Sequence, residues 1–260
     1  MYSLKEFMQI LEGYAPLEIS YKAIERGDYD NSGVIVDSGV EVKKVLFSLD
    51  LSLASIRKAE EIGADTIVTH HPAIYTPIKS LDCKGDTAPL LRAIKGGMNV
   101  VSMHLNLDMA DKGIDYYLAE ALGGETQKIL DFVCDDKGYG REFTVNSDAE
   151  GIKERAKVML GTDKVILYGM GKVEKVATFC GGGASNALEM VEKGVTDADL
   201  IVSSDMPHHV LKGLIESGRA VLIIPHYASE QYGFKKFYQE IISQTKDELK
   251  VEYFEDKRFM

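Results

Sequence analysis

The chain has 260 residues, is 45% hydrophobic and carries a net charge of −11, which allows one large core or two small ones. An acidic surface repels phosphate backbones and counts against a nucleic-acid binder that relies on charge, although bound divalent cations could still attract a small anionic substrate locally. Three widely spaced cysteines, Cys83, Cys134 and Cys180, are the pattern of reduced thiols rather than of a disulfide scaffold or a CxxC zinc site.

The first segment, MYSLKEFMQILEGYAPLE, reads as an amphipathic helix with charges inside it, not as a signal peptide. No apolar run approaches the roughly 20 residues that cross a bilayer, so a soluble cytoplasmic protein without membrane contact is expected. From there strands and helices alternate: VKKVLFSLDL (strand), SLASIRKAEEIG (helix with a Gly stop), ADTIVTH (strand), TAPLLRAIKGG (helix), NVVSMH (strand) and GIDYYLAEALGG (helix). Between Glu125 and Lys175 the rhythm weakens, with strands expected at FTVN and KVILYG and a helix near GIKERAKVMLG. It resumes at VATFCGGG, then ADLIVSSD, the helix around HHVLKGLIESG, and AVLIIP. Such alternation predicts an α/β fold of helix-covered sheets. SLDLSLASIRKAEEIGADTIVTHH also resembles FCGGGASNALEMVEKGVTDADLIVSSD, and each is followed by a strand ending in His-x3-acid. The two copies read either as related halves facing a common cleft or as two ordinary βα units.

All six histidines follow strand-like runs. His70 and His71 close ADTIVTHHP, and Pro72 ends the strand so that both rings can turn to one side. His104 closes NVVSMH with Asp108 four residues on, in a polar loop where an Asx turn is the plain alternative. His226 closes AVLIIPH, and Ser229 is the expected N-cap of the next helix, which places Glu230 in its first turn, where the helix dipole favours a carboxylate in any case. Imidazoles and carboxylates gathered at strand ends, where open α/β sheets bind ligands, suit Zn, Fe, Mn or Ni without selecting among them. The number of donors suits two ions sharing a carboxylate and activating water for hydrolysis. His208 and His209 are expected in a first helical turn, more consistent with a surface helix than with a ligand pair. Asp205 is read as an N-cap or a cleft residue. The Gly181–Ser185 turn is read as anion-binding or as tight packing.

DNSGVIV, IVTHHP, HLNLD followed by GIDYYLAEALG, GGGAS and HYASE together resemble the dinuclear-metal-centre family described as GTP cyclohydrolase I type 2 homologues, first known through a yeast transcription-coactivator-interacting factor. The resemblance spans nearly the whole chain, in the compact form without an inserted domain. It implies two α/β subdomains with helix-flanked sheets and a metal cleft between them, the first over residues 1–125 with 227–260 and the second over 126–226. It also implies a ring-shaped homohexamer and two divalent ions per chain held by His70, His71, Asp108, His226 and Glu230. Glu230 would bridge the ions, and His104 would be a catalytic neighbour rather than a ligand. Two departures stand out: Ser204-Asp205 where the family has Gly-Asp, and Pro225 where it has Gly. The function expected is a metal-dependent hydrolase of a small nucleotide-like or heterocyclic substrate. The alternative is a non-catalytic metal-binding or protein-interaction scaffold.

Overall fold

The structure, a computed structural model, describes residues 1–245 and 249–260. Its described residues divide into two units, Met1–Leu107 with Lys235–Lys257 and Asp108–Phe234 with Arg258–Met260. Each unit has its own sheet.

The first unit opens with α1 (Leu4–Tyr14) and α2 (Leu17–Glu25), followed by β1 (Gly33–Val36), β2 (Lys44–Ser48), α3 (Leu53–Ile62), β3 (Thr66–Thr69), α4 (Ala88–Lys95) and β4 (Asn99–Ser102). Ser3 starts α1 with a reciprocal capping box to Glu6, and Ser52 does the same for α3, which ends at Gly63 in the left-handed region (φ 68°). The short helix α5 (Leu105–Asp108) ends the first unit's opening stretch with Asp108 as the first residue of the second, which contains α6 (Ile114–Ala121), β5 (Lys128–Cys134), β6 (Lys137–Asp148), α7 (Ala149–Leu160) and β7 (Ile166–Tyr168). It continues through β8 (Lys172–Thr178), α8 (Ala184–Glu192), β9 (Leu200–Ser203), α9 (His208–Glu216) and β10 (Ala220–Ile223). Helix α10 (His226–Thr245) carries the chain back to the first unit, whose last strand is β11 (Lys250–Phe254).

In the first sheet the order is β1-β4-β3-β2-β11, with β11, β2, β3 and β4 parallel and β1 antiparallel at the edge. Alternate residues of β2 serve opposite faces, as strand geometry requires. Leu46 joins Ile67 and Val100 against Ile56 and Ala59 of α3 and Ala93 of α4. Phe47 turns the other way and meets the ring of Phe237, 5.8 Å between centroids, which in turn lies 5.1 Å from Tyr14 of α1. Helices therefore cover both faces.

The second sheet is mixed, in the order β5-β6-β8-β9-β10-β7, with β8, β9 and β10 parallel and the rest antiparallel. Helices α6 and α7 pack on β6, while α8 and α9 pack on each other and against β9 and β10. Helix α6 packs on β6, β8 and α7 and so falls in this second unit. Both units contain the same βαβαβ run of adjacent parallel strands, β2-α3-β3-α4-β4 and β8-α8-β9-α9-β10, which gives the sequence similarity between the halves a structural counterpart. No described helix is long and apolar enough to cross a membrane.

Candidate metal centre

In the first unit, three parallel strands lie side by side in register, with Ser48, Thr69 and Ser102 at their carboxyl ends. The residues that follow therefore emerge together: Asp50 after β2, His70 and His71 after β3, and His104 after β4. The amides of both His70 and His71 donate to the carbonyl of Leu49, at 3.1 and 3.0 Å. This ends the strand's alternation and lets two successive side chains share a side, with ring centroids 4.9 Å apart. The Thr69 hydroxyl ties down the turn by donating to the His71 carbonyl at 2.8 Å. One ligand nitrogen from each of His70, His71 and His104 lies within 4.8 Å of the others.

Each ring is held in place through Nδ1. His70, fully buried, donates from Nδ1 to the Met103 carbonyl at 2.8 Å, which fixes the orientation of the ring. His71 Nδ1 lies 2.6 Å from Asp50 Oδ1, and His104 Nδ1 lies 2.7 Å from Asp30 Oδ1. Asp30 also accepts from the hydroxyls of Ser20 (2.5 Å) and Ser32 (2.6 Å), and Ser32 Oγ accepts the His104 amide at 3.0 Å. Burial alone would raise the Asp30 carboxyl. The His104 hydrogen bond and charge, with the two serine hydroxyls, outweigh it and hold the group at about 2.

The second unit presents its donors in the same way. Cys180 and Gly181 follow β8, Asp205 follows β9, and His226 follows β10 as the first residue of α10. His226 and Glu230 are one helical turn apart, and His226 Nε2 approaches Glu230 Oε1 at 3.0 Å. Asp205 Oδ2 lies 2.6 Å from His226 Nδ1. A carboxylate oxygen of Asp108, at the end of α5, lies within 4.8 Å of one from Glu230. Both acids are at most 5% exposed.

Behind these acids is a buried polar layer. Cys180 donates from Sγ to Asp108 Oδ1 at 3.4 Å, its amide donates to Asp115 Oδ1 at 3.2 Å, and its carbonyl accepts the Tyr139 hydroxyl. Asp115 is paired with Arg141 (Oδ2 to Nε 3.7 Å). Burial, then the carboxylates of Asp108, Asp115 and Glu230, pushes the Cys180 thiol well up, so it stays a protonated donor. Burial likewise raises Asp115 to about 7 against the pull of Arg141. Gathering carboxylates in a buried place is unfavourable unless positive charge compensates them, and a divalent cation is one way to supply it. Gly181, at φ 54°, passes so close that a Cβ there would stand 2.2 Å from Glu230 Oε1 and 3.3 Å from His226 Nε2.

Of the expected site residues, His70, His71 and His104 are thus gathered in one unit, and Asp108, His226 and Glu230 in the other. Two local expectations are corrected. Ser229 is not an N-cap, because α10 starts at His226 and the Ser229 amide already donates to the Pro225 carbonyl at 3.0 Å. Asp108 ends a short helix instead of sitting in a loop. His208 and His209 are exposed in the first turn of α9 and belong to none of the ligand groupings among the described residues. The sequence reading missed Asp30, Asp50, Cys180, Asp115 and Arg141. A signal existed for Asp50, which follows its strand just as the histidines follow theirs, and for Asp30, which opens the DNSG motif.

The profile of the family described as Duf34/NIF3 (NGG1p interacting factor 3) matches residues 2–258. A Methanocaldococcus jannaschii protein described as a GTP cyclohydrolase 1 type 2 homolog is 30% identical over 251 residues, 94% of this chain and 96% of its own. An Archaeoglobus fulgidus protein of the same description is 27% identical over 253 residues, covering 96% of each. Among solved structures, reduced HcgD from Methanocaldococcus jannaschii matches with a TM-score of 0.80 at 28% identity over 98% of both chains. Staphylococcus aureus hypothetical protein SA1388 matches with a TM-score of 0.84 at 23% identity, over 98% of this chain and 96% of that one, a likeness of fold.

Proposed function

We propose, for a chain that belongs to the Duf34/NIF3 family, that it is a metal-dependent hydrolase in which His70, His71, Asp108, His226 and Glu230 would hold two divalent ions. The observation that carries this reading is the common treatment of the imidazoles. Four histidines at strand ends each have Nδ1 held by an oxygen, from Met103, Asp50, Asp30 or Asp205. That is the support a metal-ligating histidine needs to aim Nε2. The buried pair Asp108 and Glu230 adds the hard oxygen donors that complete a set for Zn, Fe, Mn or Ni.

Held by these residues, divalent ions would polarise the bond under attack and lower the pKa of water. The chain's own residues do the rest. His104, with Nδ1 fixed by Asp30, handles a proton at Nε2, and the Cys180 thiol orients Asp108. A small nucleotide-like or heterocyclic substrate agrees with the description of the relatives as GTP cyclohydrolase 1 type 2 homologs, and we extend the proposal to a ring-shaped homohexamer working in the cytoplasm. The family description also names an interacting factor, which supports a second reading, a non-catalytic metal-binding scaffold.

Turnover of a panel of nucleotides and heterocycles, GTP included, separates the two. Metal-dependent turnover that falls by about 10²–10⁴ in His104→Gln with metal content unchanged supports the hydrolase. Bound metal without turnover across the panel supports the scaffold.

A further inference from the structure

The loop after the His70-His71 pair carries Tyr75, and the segment before Asp30 carries Tyr29. Their rings meet edge to face with centroids 4.9 Å apart, and Tyr75 in turn stands at 89° to the His104 ring, 6.0 Å away. Both tyrosines are about half exposed, 48% for Tyr29 and 49% for Tyr75. The two loops are fastened together, since Asn31 donates from Nδ2 to the Ile74 carbonyl at 2.7 Å. The same DNS segment is fastened to the histidines, because Asp30 holds the His104 ring and Ser32 holds its amide. A pair of aromatic faces left open to water is therefore fixed beside the three imidazoles by polar bonds, not by burial.

We propose that Tyr29 and Tyr75 form a stacking platform for a planar heteroaromatic ring, the specificity-determining subsite of the metal centre proposed above, on which this inference rests. Ordered aromatic rings stack on flat π systems with little loss of conformational freedom, and such stacking tolerates any base. Local charge sets which end of a ligand lies here. Burial first, then the carboxylate of Asp30 and that of Asp28, pushes the Tyr75 hydroxyl up, so the rim is electronegative and Tyr75 stays neutral with a hydrogen to donate. A phosphate is disfavoured in that setting, whereas the ring edge of a purine or pteridine, rich in N–H donors, is favoured. The ligand is thus oriented with its ring on the tyrosines and its anionic or oxygen-rich end toward the histidines.

The test is calorimetric titration of the full chain with three probes, guanosine, GTP and ribose 5-phosphate, in manganese-loaded and in metal-stripped protein, with metal content measured in each sample. Guanosine affinity is expected to fall by about tenfold or more in Tyr75→Ala and in Tyr29→Ala. It stays within about threefold in Tyr75→Phe, and ribose 5-phosphate affinity is the same in every variant. Thermal melts coincident with the parent show that the variants are folded. Guanosine binding unchanged in both alanine variants overturns the proposal, as does a parent protein that binds ribose 5-phosphate or nothing at all and ignores guanosine. Loss of oligomeric state in the alanine variants overturns it too, because the tyrosines would then serve a second copy of the chain. Because guanosine is also read without metal, a failure of the metal centre shows separately, as a parent protein that retains no manganese while tyrosine-dependent guanosine binding persists.

Discussion

Gly181 gives the sharpest perturbation because two consequences of one methyl group can be separated. Its φ of 54° lies in the left-handed region, where a side chain costs about 1–2 kcal/mol. At about 2–4 °C per kcal/mol for a chain of this size, Gly181→Ala is expected to lower Tm by roughly 2–8 °C. The new Cβ would stand 2.2 Å from Glu230 Oε1, well inside ordinary contact. The end of a glutamate side chain can swing away at modest cost, so the fold survives and the carboxylate is what moves, by about 1 Å or more. Metal–oxygen distances tolerate about 0.2 Å, so divalent-ion affinity should fall by at least about tenfold to a hundredfold. Gly182→Ala is the control, because no heavy atom lies within 4 Å of a Cβ there, and it should bind metal as the parent does. Calorimetric titration with Mn²⁺ or Zn²⁺, alongside a thermal melt, reads both effects. Equal metal affinities in the two variants would refute the placing of Glu230 as a ligand pressed against Gly181.

Removing the thiol with Cys180→Ala should weaken metal binding about tenfold by freeing the Asp108 carboxylate, while Cys180→Ser, which keeps a donor, should stay within about threefold. Equal loss in both variants would point to packing instead of hydrogen bonding. Asp30, held at about 2 against an ordinary 3.8, has a lowered carboxyl pKa. Its stabilising contribution is complete above about pH 4 and is lost as the pH falls from there toward 2, by roughly 2 kcal/mol. Denaturant titrations of metal-stripped protein at a series of pH values should show this loss in the parent and not in Asp30→Asn, and parallel curves would contradict it.

The features legible in the sequence were those whose cause is local. The β-branched runs ending in histidine at ADTIVTHH and NVVSMH announced strands with histidines at their carboxyl ends, and α3 announced its stop at Gly63. Where the cause is a distant partner, the reading failed. Ser229 has the identity of a helix cap, yet its hydroxyl donates to the His226 carbonyl at 2.7 Å and accepts the amide of Gly181 at 3.1 Å, and Pro225 already sets the helix start. Strand β11 exists because KVEYF pairs with β2 some two hundred residues earlier, and β5 lies in the stretch of weak alternation. The carboxylates that orient the rings are equally non-local. Asp30 is 74 residues from His104, and Asp50 and Asp205 are each 21 from their histidines. Histidine spacing could reveal candidate ligands, but the groups that aim them emerge only when parallel strands stand side by side.

The central claim is that these donors hold two divalent ions per chain. Protein purified without chelator and analysed by plasma mass spectrometry should contain close to two ions per chain, and the Asp108→Ala, Glu230→Ala double variant, folded by its thermal melt, should contain neither. A parent protein that carries no divalent metal and takes up none on dialysis against Zn²⁺, Mn²⁺ or Fe²⁺ would contradict the account.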